Sequence, residues 1–324
     1  MHPVFNVHSE KEFKNTALET FRQQYHHVQV YQEFVDHLKI NPGHIQKIED
    51  IPFLPIELFR NHKIIDNRKK EEILFCSSGT TGMERSRHYV ADKELYRQSF
   101  TRGFELFYGN PSDYCILALL PSYLEREGSS LIFMMEKLIK QSRHPDSGFY
   151  LYEYDKLMMK IEKLKKKNQK TLLLGVSFAL LELSDKFQED LSDIIIMETG
   201  GMKGRGKEIT REELHGKIKK SFNVDDVHSE YGMTELLSQA YSKGNGKFHC
   251  PPWMKVLIRD AHDPFHILAD GLSGAVNIID LANIYSCSFI ATSDLGKKDH
   301  KDNFEILGRM DNSDIRGCNL LVAL

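Results

Sequence analysis

Cysteine is scarce in this chain of 324 residues, and what there is falls into no pattern: Cys76, Cys115, Cys250, Cys287 and Cys318 are far apart, odd in number and without a C-x-x-C pair. That excludes a disulfide framework and a zinc ribbon and fits a reducing interior. Long apolar runs are missing too, none nearing the roughly 18 residues that a membrane span requires. The start, Met1-His2-Pro3-Val4-Phe5-Asn6, lacks the basic stretch and apolar core of a signal peptide, so the expected location is the cytoplasm. Nor is there an excess of positive charge. The formal net charge of −3 gives no general attraction to nucleic acid or membrane surfaces. What is present is ordinary, with 41% hydrophobic and 27% charged residues. These are the proportions of a soluble globular protein, one large domain or two modest ones.

Apolar spacing sets the expected elements. Phe13, Ala17 and Phe21, then Val30, Phe34 and Leu38, fall at helical intervals, and Ser9 with Glu12 forms an S-x-x-E capping box. Residues 92–108 also read as a helix, with Tyr96, Phe100, Phe104 and Phe107 along one face. The runs 114–120, 171–176 and 193–198 are continuously apolar, as strands buried on both faces are. Helical stretches at 129–141, 154–168, 177–183 and from Thr210 onward separate them. This alternation predicts a largely parallel α/β sheet with helices on both faces, followed by antiparallel strands over 273–294. The basic cluster Lys163, Lys165, Lys166, Lys167 and Lys170 reads first as a solvated helix face.

Chemistry concentrates in the connections. After Ile73-Leu74-Phe75 comes Cys76-Ser77-Ser78-Gly79-Thr80-Thr81-Gly82, with Arg85 and Arg87 close behind. Hydroxyls and glycine N–H groups in such a loop can wrap a phosphate chain, or form an ordinary polar turn. Gly201 to Lys207 fits the first seven positions of a G-x-x-x-x-G-K-[ST] loop, but Glu208 stands where the metal-binding hydroxyl must be. A P-loop NTPase using 201–207 thus stays as a minor alternative. In Tyr231-Gly232-Met233-Thr234-Glu235 a carboxylate beside a threonine can help hold phosphate-bound Mg²⁺.

Four segments, in order, resemble the motifs of the adenylate-forming superfamily of acyl-CoA synthetases, adenylation domains and luciferases. Ser77–Gly82 resembles its phosphate loop and Tyr231–Glu235 its Y-G-x-T-E motif. Thr292-Ser293-Asp294-Leu295-Gly296 resembles T-G-D-L-G, with Ser293 replacing glycine, and Gly308-Arg309, Asp311 and Arg316-Gly317 resemble its hinge. Within the superfamily the chain looks most like the acyl-protein synthetases, the long-chain-fatty-acid–luciferin-component ligases and their relatives. The signs are the Pro121-Ser122-Tyr123-Leu124-Glu125-Arg126 stretch, the short length and the end soon after Cys318.

The resemblance implies an α/β adenylate-forming core of mixed, largely parallel sheets covered by helices, lacking most or all of the small C-terminal domain. It implies ATP and Mg²⁺, and activation of a carboxylic acid, of the fatty class, to acyl-AMP. Ser77, Ser78, Gly79, Thr80, Thr81 and Gly82 would hold phosphates, with Thr81 and Glu235 at Mg²⁺. Gly200, Gly201 and Tyr231 would flank the adenine, Gly232 and Thr234 would also belong to the cofactor site, and Asp294 and Arg309 would reach the ribose. Arg85 stands nearest the place of the usual lysine, and Arg126 is a candidate for the basic role of the lysine that the small domain carries. Cys318 would accept the acyl group for a reductase, acyltransferase or acyl carrier protein. Two further readings stay open here, an AMP-forming acyl-CoA ligase and a non-catalytic nucleotide- or acyl-binding subunit. The expected division is a helical lead-in over 1–70, an adenylation core over 71–305 and a hinge-like tail over 306–324.

Overall fold

The computed structural model describes residues 2–77, 85–121, 128–200 and 209–310. Helices α1 (Glu10–His27) and α2 (Gln29–His37) are followed by β1 (Leu54–Pro55) and α3 (Leu58–Asn61). Strands β2 (Ile73–Cys76) and β3 (Arg87–Val90) flank residues 78–84, and α4 (Lys93–Tyr108) leads into β4 (Cys115–Leu119). Then α5 (Ser130–Ser142), β5 (Gly148–Tyr150), α6 (Tyr154–Lys165), β6 (Thr171–Val176), α7 (Ser177–Lys186) and β7 (Ile194–Thr199) alternate. Next come α8 (Arg211–Phe222), β8 (His228–Tyr231) and β9 (Ala240–Ser242). The described chain closes with β10 (Met254–Arg259), β11 (Ser273–Asp280), β12 (Phe289–Lys298) and β13 (Phe304–Arg309). Contacts gather these into two compact units, one of residues 1–73, 88–92 and 252 onward, the other of 74–87 and 93–251. No helix among the described residues is long and apolar enough to cross a membrane.

The 74–251 unit is built on a six-stranded sheet in the order β5-β4-β6-β7-β8-β9. All pairs from β5 to β8 are parallel, and β9 runs antiparallel to β8. Every residue of β4 and β6 is buried, as expected of strands covered on both faces. Helix α4 supplies part of that cover. Tyr96, Phe100 and Phe104 of its aromatic stripe are buried, and Tyr96 packs edge-on to Phe75 at 5.3 Å and stacks on Phe133 at 5.7 Å. Each such side chain contributes about 1.5–3 kcal/mol by leaving water. Leu172, Leu173, Leu174 and Phe178 are buried in β6 and α7.

In the other unit, Ser9 caps α1 by accepting the Glu12 N–H, but the reciprocal bond is shifted. The Glu12 carboxylate takes the His8 N–H at 2.7 Å instead of that of Ser9, and this bond holds its pKa below the ordinary value. The predicted face of the second helix is also off by one. Tyr31 and Val35 are fully buried, not Val30, Phe34 and Leu38. Val28 between the helices is extended, at φ −110° and ψ 96°, and this break resets the helical phase. Gln24 ties α1 to a distant turn. Its Nε2 donates to the carbonyls of Asn283 and Ile284 and to Ser288 Oγ, and its Oε1 accepts the Ser288 N–H. The turn leads into β12, whose ten residues pair in parallel with β1 at the start and antiparallel with β13 at the end, with β11 and β10 beyond.

Close approach explains one glycine of that sheet. A Cβ on Gly296 would lie 2.6 Å from the Glu305 carbonyl oxygen and 2.9 Å from Val276 Cγ2, whereas one on Gly308 meets nothing within 4 Å. Gly296→Ala is expected to destabilise the protein by about 1–3 kcal/mol and Gly308→Ala to leave it within about 0.5 kcal/mol. Chemical denaturation of both variants checks this.

Acid should also weaken the 74–251 unit. Burial, reinforced by Lys243, lowers the His228 pKa to about 4, and the Tyr108 hydroxyl is hydrogen-bonded to His228 Nδ1 at 3.1 Å. A lowered histidine favours its neutral form, so this contribution is fully present above about pH 6.5 and is lost as pH falls toward 4. Allowing for partial exposure, the loss is roughly 2–3 kcal/mol. Thermal midpoints at about pH 7 and pH 4.5 should fall less for His228→Gln than for the wild type.

Candidate functional site

The register of the parallel sheet decides where ligand-binding groups gather. Leu119 pairs with Gly175, Val176 with Thr199, and Thr199 with Glu230. The C-terminal ends of β4, β6, β7 and β8 therefore finish along one edge, the edge at which open α/β sheets bind ligands. From β4 the chain leaves at Pro121 and returns at Gly128, whose carbonyl accepts the Cys76 N–H at 2.8 Å. This fixes the start of the hydroxyl-rich loop beside the same edge. Gly128 is left-handed, at φ +79°, and a Cβ there would sit 3.2 Å from the Leu74 carbonyl oxygen.

Ser77 closes the neck of that loop. Its N–H donates to the Ser86 carbonyl at 3.0 Å, and its Oγ accepts the Ser86 N–H at 2.9 Å. Its side chain thus serves the neck, with only the hydroxyl proton left for a ligand. Arg85, next along, is exposed. Ser78, Gly79, Thr80, Thr81 and Gly82 lie outside the described residues, as do Arg126, Gly201 and the 201–207 segment of the P-loop alternative.

At the ends of β7 and β8 the geometry is dense. Gly200 is left-handed, at φ +65°, and its carbonyl accepts the Ser177 hydroxyl. Before it, the buried Glu198 carboxylate takes Arg211 Nε at 3.1 Å on Oε1 and Ser177 Oγ at 3.2 Å on Oε2, with His215 Nε2 at 3.8 Å. Burial would push the Glu198 pKa up, but His215 and Arg211 outweigh it and hold the group below its ordinary value. The Arg211 guanidinium lies over the Phe248 ring at 5.1 Å, and that ring packs against Tyr231 at 5.8 Å. Thr199 Oγ1 donates to Glu230 Oε2. The other Glu230 oxygen runs under Gly232, where a Cβ would lie 2.5 Å away. Thr234 is half-buried and Glu235 buried.

In the unit that holds β12 and β13, Asp294 pairs with Arg309 across the two strands, Nε to Oδ1 at 3.3 Å, the arginine largely exposed. The two residues assigned to ribose thus start as partners of each other. Ser293, which replaces the motif glycine, donates to Glu57 Oε1 at 2.7 Å on the wall of a cavity of about 750 Å³. Asp311, Arg316, Gly317 and Cys318 lie outside the described residues. Among the described residues no group of three or more His, Cys, Asp and Glu is arranged for a metal ion. Mg²⁺ arriving on phosphates needs no such cluster, since this ion keeps its waters and takes few protein ligands.

Motif reading missed Glu198, Arg211, Glu230 and Phe248. Only Glu198-Thr199, polar residues closing the otherwise apolar β7, hinted at the first.

A family model described as acyl-protein synthetase, LuxE, matches residues 5–323. Among curated proteins the chain is similar to a long-chain-fatty-acid–luciferin-component ligase of Photorhabdus luminescens. The two are 34% identical over 76 residues, covering 23% of this chain and 65% of that protein. Among solved structures it is similar to ATP-bound MatB from Rhodopseudomonas palustris, with a TM-score of 0.58 and 16% identity over 75% of this chain and 49% of the other. A 2-hydroxyisobutyryl-CoA ligase in an open conformation gives a TM-score of 0.71 and 11% identity, covering 94% and 70%. The chain thus spans less than two thirds of the first relatives it matches, 65% of one and 49% of the other. At these identities the structural likeness is one of fold, the α/β core of adenylate-forming enzymes. With nearly its whole length, residues 5–323, matched by the family model, the chain belongs to the LuxE acyl-protein synthetase family.

Proposed function

We propose that this protein activates a carboxylic acid, of the fatty class, with ATP and passes the acyl group to a thiol. A carboxylate oxygen of the acid attacks the α-phosphorus of ATP, and pyrophosphate leaves. A thiolate then attacks the acyl carbon, forming a thioester and releasing AMP. The observation that carries this reading is the convergence of three segments at one sheet edge: the neck of the 77–86 loop, the Gly200 turn and Tyr231-Gly232. Each brings the residue types its motif requires. Gly200 leaves room for close approach, Tyr231 offers a ring for stacking on the base, and Glu235 would hold Mg²⁺ with Thr81. Bound there, Mg²⁺ would neutralise charge on the phosphates. Asp294 and Arg309 are the residues we assign to the ribose hydroxyls, and Ser78–Gly82 and Arg85 to the phosphates. Arg126 is assigned the stabilisation of charge developing in the adenylation step. Such a site acts mainly by positioning and by charge stabilisation.

The cysteines narrow the acceptor. Burial pushes the Cys115 thiol up to about 11 and the Cys287 thiol to about 12, so neither supplies a thiolate at neutral pH. Cys76 and Cys250 are half-buried. Cys318, near the end of the family match, is our candidate for the acyl acceptor, with a reductase, acyltransferase or acyl carrier protein as the next recipient.

Intact-protein mass after incubation with ATP, Mg²⁺ and a series of fatty and aromatic acids tests the scheme. A hydroxylamine-labile acyl adduct is expected on the wild type and is expected to be absent from Cys318→Ala. AMP formation that needs free coenzyme A, with no adduct, would instead favour a stand-alone acyl-CoA ligase. No AMP with any acid would leave a binding subunit. In the same assay Glu235→Gln should lower kcat/KM by about 100-fold, the usual scale for one electrostatic group in the transition state.

A further inference from the structure

We infer that Glu198 is the positioning residue of the adenine side of the nucleotide site, acting through Arg211 and Phe248 on Tyr231 and through Ser177 on Gly200. The inference rests on the function proposed above, and it assigns a role to a side chain outside all four motifs. Four elements of the 74–251 unit meet on this carboxylate. It belongs to β7, and its partners are Ser177 at the first position of α7, Arg211 at the first position of α8, and His215 one turn on. Its sheet neighbour in β8 is Ser229. Ser177 spends its hydroxyl on both Glu198 and the Gly200 carbonyl. Gly200 and Arg211 are therefore both linked to one buried charge, Gly200 through the shared Ser177 hydroxyl and Arg211 directly.

From Arg211 the constraint passes to an aromatic pair. The guanidinium is fixed on one side by Glu198 and lies over Phe248 on the other, and Phe248, fully buried, packs against Tyr231. Tyr231 is itself buried, so its ring cannot turn without moving Phe248. A buried carboxylate paired in this way is costly to leave half-made, because removing one partner strands the other charge away from water. The arrangement thus has one low-energy geometry, as a group that positions others must. The inference differs from a general role in stability in that it predicts a loss confined to the adenine side.

The test compares two ligands on purified full-length protein. ATP engages the adenine side and the phosphate loop, while inorganic tripolyphosphate engages the loop alone. Both are titrated by calorimetry against the wild type, Glu198→Gln, Arg211→Gln and the double variant, and the KM values for ATP and for the acid are measured in parallel. Glu198→Gln should weaken ATP by ten- to about a hundredfold, the scale of a misplaced binding group, with tripolyphosphate and the acid KM within about twofold. The Arg211→Gln effect should not add to it, since both cut one relay. Equal weakening of ATP and tripolyphosphate, additive effects, or no change in ATP affinity would each overturn the inference. Should Glu198→Gln fail to fold, Phe248→Leu leaves the carboxylate network intact and must show the same split. A wild type that binds tripolyphosphate but not ATP would refute the relay, whereas one that binds ATP yet forms no AMP would refute the proposed activity and leave the relay standing.

Discussion

Burial on both faces of one sheet is the constraint from which the rest of the 74–251 unit follows. Strands β4 and β6 are wholly enclosed, and a parallel sheet covered by crossover helices is the arrangement that satisfies their backbone groups while hiding every side chain. Once those strands are parallel and in register, their C-terminal ends have to align. The residues that end β4, β6, β7 and β8 then become neighbours by register, before any polar contact between them is counted. Ligand chemistry at that edge depends on apolar side chains that never meet a ligand.

The two β-sheets show how much of this was legible beforehand. Continuous apolar runs gave three of the parallel strands, β4, β6 and β7, and alternation with helices gave their class. Thr210 and Glu213 have the T-x-x-E spacing of a capping box, and the structure has both of its bonds. The motifs stood out because each is local, with its chemistry in five or six consecutive residues. What escaped was whatever depends on phase or register. The face of α2 was misjudged because Val28 breaks the helix, a change of backbone direction that no spacing of apolar residues reports. Glu198 was invisible for a like reason. A single acidic residue at the end of a strand is ordinary until the fold brings Arg211, His215 and Ser177 to it. The pairing of Asp294 with Arg309 needed the β12–β13 register, which the motifs alone do not contain.

Motif letters also turn out to encode two kinds of physics. Some positions are what they are for a ligand's sake. Others keep the backbone where it is, and the structure separates them by what already surrounds each residue. Gly296 sits in T-S-D-L-G because a neighbouring strand carbonyl fills the space of its Cβ. Gly232 sits in Y-G-x-T-E because the Glu230 carboxylate runs beneath it. Ser77 begins the phosphate loop by tying its neck to Ser86. In each case the residue would be needed even if no nucleotide ever bound. A resemblance built on such letters is evidence of shared fold before it is evidence of shared chemistry.

The distinction decides which substitutions are informative about function. Changing a steric glycine or a neck serine alters ligand binding and stability together, since the same atoms hold the chain and shape the site. Glu235 and Tyr231, proposed for Mg²⁺ and the base, are both buried, so their loss also disturbs packing. A group one layer back, satisfied by partners on other elements, can be altered with its volume preserved. What then changes is the orientation of the ligand-facing residues and not their presence. That layer is where positioning and chemistry can be told apart in this fold, because the alignment of strand ends is fixed by the core beneath it and survives the change.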